Sequence, residues 1–187
     1  MSSILSKITA TAPDVYPAAM QIMHWSFACC VLGCIGTINY MQYTKDKELK
    51  KDLMFYHKSC GTLGLLLLAP RLALRLTSYI PPHIPGAAWE KLAGATSHFL
   101  LYGFMIFMPI SGAAMGYFGG KGLPFFFTTL PGAAKADGSI AKPAYQYHKL
   151  VGYYGQFLVP LHVGAVGYYG VLKGQNILKR MLGSGAK

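Results

Sequence analysis

Apolar residues run in four long stretches, about Ala18 to Tyr43, Leu53 to Tyr79, Lys91 to Phe118 and Tyr145 to Leu172, separated by segments of charge, proline or glycine. Each stretch matches or exceeds the roughly 20 apolar residues needed to cross a hydrocarbon core of about 30 Å. The pattern therefore predicts four membrane-spanning helices. The first connection, the charged run from Lys45 to Asp52, reads as a short solvated loop. The second holds Pro81, Pro82, Pro85 and Gly86, which stop a helix. Short connections make consecutive helices antiparallel neighbours, so the expected fold is all-α: an up-down-up-down four-helix bundle in the membrane. On this reading residues 1–17 form an N-terminal extension, 18–172 the membrane domain and 173–187 a basic C-terminal tail.

The third connection, Gly119 to Pro143, breaks this rhythm with repeated glycine and proline and the run Phe125-Phe126-Phe127. Those breakers exclude a regular spanning element, and the aromatic rings suit the interface plane. The expectation is a partly interfacial cap, with a lid over a substrate site as the alternative.

Composition supports a bilayer as the partner. Of 187 residues, 53% are hydrophobic and 12% charged, about half the charge of an average soluble domain. The net charge of +11 raises the question of nucleic acid, but the Lys and Arg residues lie between and at the ends of apolar stretches, where they meet lipid headgroups. No nucleic-acid partner is expected. Basic residues occupy both sides, so loop charge does not fix the orientation. Cys29, Cys30, Cys34 and Cys60 form no CxxC or CxxCH pattern, which argues against covalent haem attachment and a zinc site. The N-terminal segment lacks the apolar core of a secretory signal.

The chemistry is carried by histidines. Tyr56-His57-Lys58 and Tyr147-His148-Lys149 each open a YHKxxGxxG repeat on an even-numbered helix, so both histidines start from the same face. The glycines four and seven residues later, Gly61 and Gly64, Gly152 and Gly155, fall on the histidine side. They either leave room for a flat macrocycle or permit close helix contact. His162 follows His148 by fourteen residues, which returns it to within about 40° of the same face, about 21 Å deeper. His24 opens the antiparallel first helix, level with His162. Two cross-bundle pairs result, His24 with His162 and His57 with His148, as expected of metal ligands to two b-type haems. Two axial imidazoles leave an iron no open position, which favours electron transfer.

Arg71 lies fourteen residues after His57 at the depth of the other pair, and Arg75 one turn later; each is a candidate partner for a haem propionate, with interfacial snorkelling as the alternative. Lys58 and Lys149 have the same two readings at the opposite surface. His98, on the third helix at the His24 side, has no counterpart left and is a candidate to bind a propionate or line a quinone pocket, or else a structural histidine.

Taken together, His24-Trp25, His57-Lys58 with Gly61, Arg71 and Arg75, His98 with Pro109-Ile110-Ser111-Gly112, and His148-Lys149 with His162 resemble the prokaryotic-type cytochrome b561 family. The resemblance spans about Gln21 to Lys173. It implies a bundle with two non-covalent haems b and ubiquinone-linked electron transfer, one activity in the family being superoxide oxidation with quinone as acceptor. Two functions follow as expectations. One is an oxidoreductase joining a soluble reductant to the quinone pool; the other is a haem-bearing accessory or anchor subunit of a larger respiratory complex, with its tails docking partners. A bacterial plasma membrane and a mitochondrial inner membrane both suit either function.

Overall fold

The structure, a computed structural model, describes residues 14–183. Most of the proposed N-terminal extension, including Lys7, and the last four tail residues, including Lys187, lie outside the described residues.

The chain is mainly helical. Helix α1 spans Ala18–Tyr43, α2 Lys47–Thr77 and α3 Ala88–Phe118. These three are long and apolar enough to cross a membrane. The charged run from Lys45 is not the loop expected of it. The Asp46 carboxylate accepts the Glu48 and Leu49 N–H groups at 2.9 and 3.2 Å, which caps α2, and Glu48 pairs with Lys51 at 2.8 Å. A cap and an acidic first turn stabilise a helix start even where the residues are solvated. Helix α2 then ends at Thr77, just before the prolines. Helix α3 starts at Ala88, with Glu90 turning back to accept the Ala87 N–H at 2.8 Å.

The fourth apolar stretch departs further from expectation. It opens seven residues early as α4, Gly138–Gly155, where Asp137 accepts the Ser139 N–H at 2.9 Å. It then breaks, resumes as α5, Leu158–Gly167, and closes in a π-helical turn, Tyr168–Leu172. Pro160 accounts for the break, because it has no N–H for the Gln156 carbonyl and its ring crowds that oxygen. The backbone tightens to i−3 bonds instead, Val159 N–H to Gln156 at 3.2 Å and Phe157 N–H to Tyr154 at 3.4 Å. A sequence window registers only the unbroken hydropathy.

The connection after α3 contains a hairpin that the all-α expectation lacked, β1 (Leu123–Phe125) antiparallel to β2 (Thr128–Leu130). Phe126, at the first turn position, takes a positive φ of 44° and donates its N–H to Ser59 Oγ at 3.1 Å. Primed hairpin turns call for positive φ at this position. The hairpin packs on α2 and α3, two residues from His57 at Ser59.

Helix α1 packs on α2, α2 on α3, and α3 on both α4 and α5. Phe27, Leu68 and Met105 form the central apolar cluster with Val31, Leu72 and Tyr102 around it. Ser59, Thr62, Glu90 and Ser111 are buried, while Leu32, Leu66, Phe99 and Leu161 are exposed. Such a surface is stable against hydrocarbon, which solvates leucine as well as a protein core does.

The tail, expected to reach toward partners, folds back through Gly183. A short helix α6, Lys179–Leu182, lies against the start of α1. There Trp25 Nε1 donates to the Met181 carbonyl at 2.8 Å, and Arg180 pairs with Asp14 and donates to the Pro82 carbonyl at 3.0 Å. The tail's root is an ion pair of Lys173 with Glu90 at 2.8 Å. That bond raises the Lys173 ammonium above its ordinary range.

Candidate functional site

Four helical segments bring the histidines together in two groups at opposite ends of α2. His57 and His148 face each other with ring centroids 6.2 Å apart and planes at 88°. His24 and His162 do so at 6.4 Å and 51°. The apolar cluster of Phe27, Leu68 and Met105 lies between the groups along the helices.

Partners at the remaining ring nitrogens settle tautomers at the first group. His57 Nδ1 lies 3.0 Å from the Cys34 carbonyl, which can only accept, so Nδ1 carries the proton and Nε2 is a free lone pair. His148 Nδ1 lies 3.0 Å from Ser111 Oγ, whose own hydrogen is directed to the Phe107 carbonyl at 2.7 Å. Ser111 therefore accepts from His148, again leaving Nε2 unprotonated. Ring nitrogens held in this way are typical of ligating histidines. A Cβ on Gly112 would approach His148 Cε1 to 3.3 Å, so a small residue at 112 seats the ring.

The four repeat glycines divide between their two readings. A Cβ at Gly61 would meet nothing within 4 Å, and one at Gly64 only the Cys30 Cβ at 3.9 Å. At Gly152 it would touch Met108 at 3.1 Å, and at Gly155 it would strike the Phe104 ring. The second pair of glycines thus serves close contact of α4 with α3; of the four, only Gly61 opens onto free space.

At the other end, His162 has a second neighbour. His98 approaches it edge-on with centroids 5.4 Å apart, nearer than His24. Trp25 packs edge-on against His24 at 5.2 Å. Arg71 donates Nε–H to Met105 Sδ at 2.9 Å, places Nη2 3.4 Å from His24 Nδ1 and lies over the Phe27 ring. Arg75 lies over the Tyr102 ring at 6.0 Å. Neither arginine has a carboxylate partner among the described residues. Lys58 is half-buried and Lys149 exposed, and neither ammonium group enters an ion pair or side-chain hydrogen bond among the described residues.

Sequence reasoning overlooked the Ser111 contact, although the Pro109-Ile110-Ser111-Gly112 motif was legible. The Cys34 carbonyl and the Met105 thioether carry no comparable signal.

The centroid spacing of each pair fits a metal held between the rings. A metal–imidazole bond is about 2.0 Å and a ring nitrogen lies about 1.1 Å from its centroid, so two rings across one ion stand about 6.2 Å apart. Both pairs match. A half-buried Arg71 without a counter-ion suits a cofactor that brings its own carboxylates.

These features define a helical membrane protein of cytochrome type. The family model for prokaryotic cytochrome b561 matches residues 15–184, and the chain belongs to that family. It is thus a membrane electron-transfer protein of a family that carries haem b. One relative, "Probable superoxide oxidase CybB" of Yersinia pestis, is 26% identical over 168 residues, which cover 88% of this chain and 94% of the relative. Another, "Cytochrome b561 homolog 1" of Escherichia coli (strain K12), is 26% identical over 128 residues, 67% of this chain and 72% of the relative.

Proposed function

We propose that the protein holds two haems b, one between His24 and His162 and one between His57 and His148, and passes electrons between a soluble donor and membrane quinone. The observation that carries this reading is the pair of histidine couples, 6.4 and 6.2 Å between centroids, at the two ends of one bundle. On this reading α4, α5 and the π-helical turn together make the fourth span, kinked at Pro160, and complete a four-helix bundle.

Haem held by these residues would supply a one-electron couple. The chain's own residues do the rest. Cys34 and Ser111 hold the tautomers of His57 and His148. Arg71 and Arg75 would neutralise propionates at the His24 end, and Lys58 and Lys149 those at the opposite end. Phe27, Leu68 and Met105 exclude water between the two centres. Ser111→Ala is expected to weaken haem retention at the His148 site by about 10- to 100-fold, as loss of such a ligand partner commonly does. Haem transfer to apomyoglobin followed by absorbance measures it.

Superoxide is the proposed donor. The relative named as a superoxide oxidase spans nearly the same length, and at the His57 end Lys45, Lys47, Lys50, Lys51, Lys58 and Lys149 outnumber Asp46, Glu48 and Asp52, a balance that favours the approach of small anions. Two superoxide ions would give up one electron each and leave as dioxygen; quinone would take the two electrons with two protons from water. The bacterial plasma membrane is the proposed location, in keeping with a prokaryotic family and two bacterial relatives. The mitochondrial alternative gains no support from them.

Stopped-flow mixing of purified oxidised protein with superoxide tests the donor. Haem reduction at a rate that falls as salt rises is expected; no reduction at any ionic strength would sink the assignment. The alternative, an accessory or anchor subunit of a respiratory complex, loses one of its arguments because the tail is bound to its own bundle through Gly183. Co-purification with such a complex in mild detergent would favour it.

A further inference from the structure

Five of the six acidic residues are exposed; the sixth, Glu90, is buried at 4% exposure in the first turn of α3. Its carboxylate is fully engaged. Besides the Ala87 N–H, it accepts Tyr168 OH at 3.1 Å and Lys173 Nζ at 2.8 Å, both from the end of the fourth segment. A helix start can be capped by a surface residue; this one is joined to another segment by an ion pair and a hydroxyl.

The position of that joint matters because of how the fourth segment is held. Pro160 interrupts its hydrogen-bond ladder and the π-helical turn ends it. Of the long helices α1 to α3, α5 packs chiefly on α3. Apolar contact in a lipid setting sets axial register only weakly, since hydrocarbon competes with leucine on equal terms. Polar contacts supply it instead, as three rungs between antiparallel segments. Glu90 meets Tyr168 and Lys173, His98 meets His162, and Ser111 meets His148. The spacings agree. From Glu90 to His98 is about 12 Å of α3 and from Tyr168 back to His162 about 9 Å; from His98 to Ser111 is about 20 Å and from His162 back to His148 about 21 Å.

We infer that Glu90 is a positioning residue for His162: by holding Tyr168 and Lys173 it fixes the height of the fourth segment against α3, and with it the edge-on seat of His162 on His98. The inference rests on the proposal that His162 is a haem ligand. Glu90 acts on the His24–His162 centre only, because the Ser111 rung and the Cys34 carbonyl hold the other centre independently.

The test uses full-length, haem-loaded protein in nanodiscs, as Glu90→Gln and Lys173→Met, with Glu48→Gln as a control at the opposite end. Haem per chain, a redox titration and low-temperature EPR are read for each, and His24→Ala assigns which midpoint belongs to which centre. Expected in both variants is one midpoint, the one missing from His24→Ala, displaced by at least a tenfold change in the oxidised-to-reduced ratio, about 59 mV for one electron. One low-spin EPR signal should move with it while the other stays in place, and the control should match the unmodified protein. Unmoved midpoints and signals in both variants, or equal movement of both centres, would overturn the inference. Should Glu90→Gln not fold, Lys173→Met decides alone, because it leaves the Ala87 and Tyr168 bonds intact. A chain without haem would overturn the underlying reading first, an outcome separable from two haems with unchanged potentials.

Discussion

His24→Ala and His148→Ala are each expected to carry about one haem per chain, against an expected two in the unmodified protein. Each substitution removes one imidazole from one couple and leaves the other couple, at the far end of the bundle, with its geometry intact. The separation makes this expectation sharp. His57 and Arg71 stand fourteen residues apart on α2, about 21 Å, with the Phe27, Leu68 and Met105 cluster between the two ends. The double variant should hold no haem. Pyridine haemochrome assay against protein concentration measures each, and retention of two haems in either single variant would show that the couples are not ligand pairs. His98→Ala supplies the contrast. Although His98 lies nearer to His162 than His24 does, it is expected to keep both haems.

Arg71→Leu should act in opposite directions on the loaded and unloaded protein. Without haem, Arg71 is a half-buried cation supported by a thioether, a ring face and a long contact to His24, with no carboxylate partner among the described residues. Replacing such a charge with an apolar side chain is neutral or stabilising, so the thermal midpoint of the apoprotein should hold or rise. In the loaded protein, on the proposed reading, the same change would remove a charge-assisted bond of about 1.5–3 kcal/mol to a propionate, a loss of roughly 10- to 150-fold in retention at the His24 site. Differential scanning calorimetry of both forms and haem-transfer rates measure the two signs. Equal destabilisation of both forms would assign Arg71 to packing alone.

The sequence was most legible where one physical rule dominates. Hydrocarbon selects for long apolar runs, so α1 was found with its observed ends, and α2 and α3 to within a few residues of their C-termini. Errors gathered where local chemistry decides. Asp46 and Asp137 start helices inside segments whose charge or glycine content reads as loop. Pro160 sits in an unbroken apolar run and is seen as a kink only through the hydrogen bonds that re-form around it. The hairpin at Leu123–Leu130 depends on a positive φ at Phe126 and on Ser59, 67 residues away in sequence.

The candidate site was legible because helical arithmetic places residues on a rigid element. Fourteen-residue spacing put His148 and His162 at two depths of one face, and the structure brings each beside its expected counterpart. The same arithmetic also gave His98 the correct end but no neighbour, because contact across helices depends on register. That register is set by groups such as Glu90 and Tyr168, whose interaction spans 78 residues of sequence. Glycine spacing had the least power, since Gly61 and Gly152 occupy the same position in the repeat and do different work.

The central claim is that one chain holds two six-coordinate haems between its own histidines. A reduced-minus-oxidised visible spectrum of the purified protein, with haem quantified per polypeptide, tests it most directly. Two haems b per chain are expected, with low-spin spectra and no carbon monoxide adduct. A single haem, or a ferrous form that binds carbon monoxide readily, would contradict it.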